Sequence, residues 1–392
     1  MPRDARGHPL HAPQAGPSSL STLVVSDLHL GSASRVDVLR RPEPRAALLA
    51  ALEGVERVVL LGDVLELRHG PPRDALNAAR PFFEELGRAC AGREIVVVAG
   101  NHDHALVEPW LQTRALADAS ALVPEQRIDA DEASPLLATL ARWAAPAHVS
   151  AAYPGLWLRP DVYATHGHYL DCHLTVPTME RLGIGAVGRM LRRPARSLAG
   201  ADDYEAVMRP VFAWIDAMAQ QTRTGSTLNG QSTVHAWRTL GGDRNHRPSR
   251  RSTALRNRAL AGAFPLAIAA LNRTGIGPFN ADISGPELRR AGLRAMGEVV
   301  ARLDLGEVNV IFGHTHRAGP LPRDEQDEWL APGGARLMNC GSWSYDGYFL
   351  NGTGGANPYW PGGCVLVQEQ GPPVLRRLLS ERTAEELMAA PA

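Results

Sequence analysis

Three times near its start the chain runs a short apolar segment straight into a cluster of glycine and polar residues, and this recurrence restricts it to a layered α/β architecture. Thr22-Leu23-Val24-Val25-Ser26 leads into Asp27-Leu28-His29-Leu30-Gly31, and Arg57 to Leu61 leads into Gly62-Asp63-Val64-Leu65-Glu66. Ile95-Val96-Val97-Val98-Ala99, short and β-branched enough for a buried parallel strand, leads into Gly100-Asn101-His102-Asp103. Helical patterns near Pro44 to Glu53 and from Asp74 to Cys90 separate the runs. Open α/β sheets gather their chemistry at the carboxyl ends of strands, where each polar cluster falls. Strand alternation places Asp27 and His29 on one side, a spacing suited to joint metal ligation.

The pattern returns later. His104 to Ala147 reads as helix, loop and helix; Leu156-Trp157-Leu158 and Asp161 to Thr165 then read as strands, the second ending in His166-Gly167-His168. Glu307 to Phe312 is an apolar strand that delivers Gly313-His314-Thr315-His316-Arg317, and Arg336 to Cys340 and Gly363 to Val367 read as closing strands. Between His168 and Glu307 lie helical patterns near Pro177 to Leu191, Asp203 to Gln221, Ser252 to Leu271 and Pro286 to Leu303. This insertion reads as a helical cap over the strand ends, with most of Met179, Met190, Met208, Phe212, Trp214, Met218, Trp237 and Phe264 expected in a core of its own.

Composition removes several classes. The formal net charge is zero, so the chain has no general attraction to nucleic acid or anionic lipid. Its basic residues are all Arg, as a GC-rich coding sequence would produce. Cys90, Cys172, Cys340 and Cys364 lack the close spacing of a zinc knuckle or redox motif and read as reduced thiols of a cytoplasmic protein. Residues 1–20 read as a disordered leader without an apolar signal core, residues 381–392 as a short tail, and no segment is apolar enough to span a bilayer.

The candidate donors Asp27, His29, Asp63, Asn101, His166, His314 and His316 are too many for one ion and suit two divalent cations with a bridging carboxylate. Mixed nitrogen and oxygen ligation favours Mn²⁺, with Fe²⁺ or Zn²⁺ as alternatives, over Mg²⁺ or Ca²⁺. Such a pair can clamp the attacking and leaving oxygens of an in-line displacement at phosphorus, so the chemistry expected is hydrolysis of a phosphate ester.

Taken in order, Asp27-x-His29, Gly62-Asp63-x-x-Glu66, Gly100-Asn101-His102-Asp103, His166-Gly167-His168 and Gly313-His314-x-His316 resemble the full signature of the calcineurin-like metallophosphoesterases. The resemblance implies a four-layer α/β fold, a two-sheet β-sandwich flanked by helices, formed by residues 21–170 and 304–380 with the helical cap inserted at 171–303. It implies that Asp27, His29 and His316 bind one metal, Asn101, His166 and His314 the other, and that Asp63 bridges them. A metal-bridging hydroxide would attack phosphorus, His102 would protonate the leaving oxygen and Glu66 would orient His102.

The Asp-Leu-His-Leu opening and the helical insertion are also similar to the UDP-2,3-diacylglucosamine hydrolases, which cleave a pyrophosphate in a lipid-linked nucleotide. Those enzymes carry Arg at the position of His102 and Asp at that of His168. The expected substrate is therefore a phosphodiester or pyrophosphate of a nucleotide- or lipid-linked compound, its identity open. His168 and Arg317 are candidates for contacting phosphate; Arg250 and Arg251, in the Arg-rich stretch of the cap, are candidates for a headgroup or a peripheral membrane contact. A nuclease would expect a basic groove with stacking aromatics, and a non-catalytic scaffold would have lost ligands; both are alternatives that this pattern disfavours.

Overall fold

The structure is a computed structural model that describes residues 21–117, 119–221, 265–282, 284–350 and 353–388. The expected leader at 1–20, Trp237, Phe264, Arg250, Arg251 and the start of the helix expected from Ser252 lie outside the described residues. Ten strands are described: β1 Thr22–Val25, β2 Arg57–Leu61, β3 Glu94–Val98, β4 Glu125–Asp129, β5 His148–Arg159, β6 Val162–Thr165, β7 Asn309–Phe312, β8 Arg336–Asn339, β9 Gly363–Val367 and β10 Val374–Arg377. Their order is β10-β9-β1-β2-β3-β5-β6-β7-β8, with β4 beside β5. The β1-β2-β3-β5 run is parallel, as is β6-β7-β8, while β5 meets β6 antiparallel.

One strand turns this continuous sheet into two layers. Arg57, Glu94 and His148 stand in register at the start of β2, β3 and β5. Leu158, ten residues beyond His148, would lie roughly 33 Å away on a straight strand. Its carbonyl instead accepts a hydrogen bond from Arg57 Nη2 at 3.2 Å, so β5 bends and its second half returns over β2. Between the layers lie Val24, Val59, Leu61, Val96, Val98 and Ala152 together with Leu156, Leu158, Val162, Ala164 and Ile311, a core built by strands alone.

Helices cover the outer faces, giving the four-layer α/β arrangement that the sequence implies. Helices α1 Pro42–Ala50, α2 Pro72–Ala89, α3 Glu108–Leu116, α4 Ala130–Ala133 and α5 Pro135–Trp143 precede β5. In α2, Pro72 and Asp74 suit the first turn, and Ala75, Ala79, Phe82, Phe83 and Leu86 form the buried stripe. Phe83 is fully buried in the same core as Val58 and Leu60, and its truncation to Ala would cost about 3–5 kcal/mol.

Helices α6 Met179–Met190, α7 Ala201–Gln221 and α8 Gly285–Arg302 follow β6, with residues 265–273 also helical. Thr178 caps α6 by accepting from the Arg181 amide at 3.0 Å. The expected cap core is only partly realised: Met208 and Phe212 are buried, whereas Met179, Met190, Trp214 and Met218 are exposed. Two strands, β4 and β10, fall where no strand was expected.

Candidate metal centre

Asp27 and His29 follow β1, Asp63 follows β2, Asn101 and His102 follow β3, His166 follows β6, and His314 and His316 follow β7. Alternation along a strand does not orient the first pair. Asp27 and His29 adopt left-handed backbone, φ 57° and 46°, as do Asp63 at 51°, His314 at 66° and His316 at 58°. Non-glycine residues avoid this region unless their surroundings over-determine it. Here the Asp27 amide donates to the Gly62 carbonyl at 3.1 Å and the His29 amide to the Asp63 carbonyl at 2.8 Å. The Asp103 carboxylate accepts from the amides of Gly100, Asp63, Val64 and Leu65 at 2.7–3.2 Å, fastening the turn after β3 to the turn after β2.

Glycine supplies room at the same turns. A Cβ on Gly100 would come within 2.3 Å of Asp63 Oδ1, and one on Gly62, whose φ is +83°, within 2.3 Å of His166 Nδ1. The chain approaches its own donors too closely for any side chain there.

Three donor groups result, Asp27 with His29 and His316, Asp63 with His166 and His314, and His29 with Asp63 and His102; in each the donor atoms lie within 4.8 Å of one another. Asn101 Oδ1 faces His166 Nε2 at 3.2 Å and His314 Nδ1 at 3.1 Å, while His29 Nε2 and His316 Nε2 stand 3.0 Å apart. Lone-pair atoms converging this closely, with an amide oxygen among them, fit divalent cations held by nitrogen and oxygen. Charge agrees with geometry. Burial opposes a proton on His29, but the Glu66 hydrogen bond with Asp63 and Asp27 overcomes it and raises the imidazole to about 9. Burial opposes one on His166 as well, and Asp63 raises it to about 10. Burial resists the charge on Asp63, which His166 and His102 nevertheless hold well below the usual carboxylate range. The field stabilises positive charge between these groups, and cations would replace those protons.

His102 stands beside them. Its Nδ1 lies 2.9 Å from both Glu66 oxygens, and Glu66 also meets His29 Nδ1 at 3.0 Å. With its side chain 24% exposed, His102 lines a cleft of 250 Å³ with Asp63, Asn101, His314 and His316. The cleft is lined as well by apolar Leu170, Leu174, Leu288, Leu293, Trp329 and Phe349, with Glu180, Arg289 and Arg317 among them. His102 is also within ligand reach of His29 and Asp63.

Asp171 was not singled out from sequence. Its Oδ1 lies 3.0 Å from His314 Nε2, fixing the ring whose Nδ1 faces Asn101. The sequence signal was its place just beyond the His166-Gly167-His168 segment, five residues past His166.

His168 corrects an expectation. It is 1% exposed, its Nε2 lies 3.3 Å from the Tyr153 hydroxyl, and its ring packs among His104, Tyr169 and Phe212, so it has no surface for a phosphate. Arg317 does line the cleft, but its guanidinium is paired with Asp324 and lies over the Trp329 ring. Beyond His168 a second buried cluster joins α7 to the sheet domain. Glu205 Oε1 accepts from the hydroxyls of Tyr153 at 2.5 Å and Tyr169 at 2.6 Å, His104 lies between Glu205 at 3.2 Å and Glu108 at 3.3 Å, and Arg209 donates to Glu108.

Residues 20–200 match the model of the calcineurin-like phosphoesterase family. Among solved structures, the chain is similar to a dimetal phosphatase from Danio rerio, at 14% identity over 91% of this chain and 98% of that one, with a TM-score of 0.34. It is similar also to the cold-active protein-tyrosine phosphatase of a psychrophilic Shewanella, at 11% identity over 91% of this chain and 80% of that one, with a TM-score of 0.26. No curated protein matches it. Over residues 20–200, just under half of its length, the chain is similar to a calcineurin-like phosphoesterase domain. It is a phosphoesterase, a hydrolase of phosphate esters. The matched span includes His166 but ends before His314 and His316, which the fold returns to the same centre.

Proposed function

We propose that this enzyme hydrolyses a phosphodiester or pyrophosphate bond in a nucleotide- or lipid-linked substrate. The observation that carries the reading is the pair of donor groups, Asp27-His29-His316 and Asp63-His166-His314, beside a cleft that apolar side chains also line. Asp27, His29 and His316 would hold one cation, Asn101, His166 and His314 the other, and Asp63 both; Mn²⁺ suits this donor set best. The cations, when bound, supply an activated water and offset the charge of the phosphate.

The chain's own groups do the rest. Asp171 keeps His314 oriented, and Asp103 holds the two turns in register. Glu66 engages His102 Nδ1, which leaves Nε2 to carry a proton toward the leaving oxygen at the cleft. Leu288 and Leu293 of α8, with Leu170 and Leu174, offer an apolar seat for the organic part of the substrate.

Residues 171–303 act in this reading as a cap on a cytoplasmic enzyme. Exposed Met190 and Leu191 beside exposed Arg192 support a peripheral membrane contact at the end of α6. No helix among the described residues is long and apolar enough to cross a membrane. The test is a panel assay of metal-loaded protein on phosphomonoesters, phosphodiesters and pyrophosphates with leaving groups of increasing apolar length. Turnover that rises with apolar length supports the reading; preference for a small monoester overturns the substrate class.

A further inference from the structure

Arg68, two residues beyond Glu66, is a buried guanidinium with too few partners. It is 4% exposed, and its Nε and Nη2 have no hydrogen-bond acceptor among the described residues. Its Nη1 reaches one carboxylate oxygen, Oε1 of Glu180 in the first turn of α6, at 3.3 Å. Phe212 of α7 lies against its face at 5.2 Å, and Asp216 of the same helix acts on it only through its charge. A buried cation served this sparsely is costly to keep, unless another anion completes its shell.

The neighbouring amide points to where that anion goes. With Oδ1 of Asn101 turned toward His166 and His314, as cation binding requires, its amide nitrogen lies 3.0 Å from Arg68 Nη1. Two donors then face each other with no acceptor between them. An oxygen placed against both would satisfy them together, and a phosphate seated at the metal centre brings such oxygens to Asn101. Glu180 lines the same cleft, and its Oε1 is the one carboxylate oxygen on Arg68 Nη1, the contact that an incoming phosphate oxygen would replace.

We infer that Arg68 is a phosphate-binding residue of this enzyme, held in the unliganded protein by Glu180, whose carboxylate the substrate phosphate displaces. The inference rests on the phosphoesterase reading and adds to it an anion contact at the junction of the sheet domain with α6. Arg68 comes from the turn after β2 and Glu180 from the cap, so occupation of the site exchanges a cap contact for a substrate contact.

The two halves of this pair must then act with opposite sign. The test measures inorganic phosphate binding to metal-loaded protein by calorimetry, and KM and kcat for a phosphodiester, in wild type, Arg68→Gln, Arg68→Lys and Glu180→Gln. The expected result is about tenfold or greater loss of phosphate affinity in Arg68→Gln, partial recovery in Arg68→Lys, and a severalfold gain in Glu180→Gln, with KM following the same order. An ion pair that merely docks α6 would weaken binding in both Arg68→Gln and Glu180→Gln, or in neither, and that outcome overturns the assignment. Wild-type turnover with equal phosphate affinity across the variants overturns the Arg68 contact alone, whereas absence of phosphodiester turnover in the wild type overturns the functional reading with it. Unchanged melting temperature in Glu180→Gln, an isosteric variant, keeps the comparison free of a folding defect.

Discussion

Two buried histidine–carboxylate clusters flank the His168 ring, which stands 5.6 Å from His166 and 6.5 Å from His104, and they follow opposite rules. Around His104 the carboxylates meet their complements: Glu205 accepts from two tyrosines and faces His104, while Arg209 closes Glu108. Around Asp63 potential ligand atoms crowd together instead: Asn101 Oδ1 faces ring nitrogens of both His166 and His314, and His29 Nε2 faces His316 Nε2. Histidines and carboxylates thus make a finished structural joint on one side and a candidate cation centre on the other. What separates them is whether the donors and acceptors balance without a metal, and that difference can be broken deliberately.

The largest effect belongs to the unbalanced cluster. Asp63→Asn should lower phosphodiester turnover by about 10³-fold or more and reduce bound metal, measured by elemental analysis of the purified protein. Glu205→Ala should leave metal content at the wild-type level; loss of metal there would mean that the clusters are not separate.

His102→Ala comes next, with kcat reduced by about 10²–10⁴-fold and both ions retained. Because His102 also lies within ligand reach of His29 and Asp63, loss of an ion in this variant would move it from proton donor to ligand.

In the balanced cluster the cost falls on stability. Glu205→Ala leaves His104 and two tyrosine hydroxyls short of an acceptor and should destabilise the protein by about 3–5 kcal/mol in denaturant unfolding.

The same joint has a pH signature. Burial resists the charge on His104, but Glu108 and Glu205 hold it at about 9. A folded value above the unfolded one, roughly 6.5, gives stability that is fully present below that pH and is lost as pH rises through 9. For metal-loaded protein, whose ligand histidines stay deprotonated, unfolding free energy should fall on the order of 3 kcal/mol across that window. Glu205→Gln should flatten the fall, and an unchanged slope would show that His104 is not its source.

Local patterns made much of this visible in the sequence. The βα units announce themselves because each apolar run and its glycine-polar ending are contiguous, and seven candidate ligands follow from strand ends alone. Contacts across the fold left no such trace. Asp171 meets His314 from 143 residues away, Arg68 meets Glu180 from 112, and Glu205 meets His104 from 101. Strand β4 shows only Ile128 as a buried side chain and exists because it pairs with β5. His168 misled by adjacency: after Gly167, at φ 105°, a 3₁₀ turn carries it inward, away from the cleft that His314 lines. Asp27 and His29 converge as expected, but through left-handed turns rather than through strand alternation.

In the proposed function the strand-end donors form a two-cation centre on which phosphoester hydrolysis depends. Equilibrium dialysis of chelator-stripped protein against Mn²⁺, with phosphodiester turnover measured at each occupancy, tests it most directly. Two ions bound per chain, with turnover appearing as the second site fills, is the predicted result. Saturation at one ion, or full turnover in the stripped protein, would contradict it.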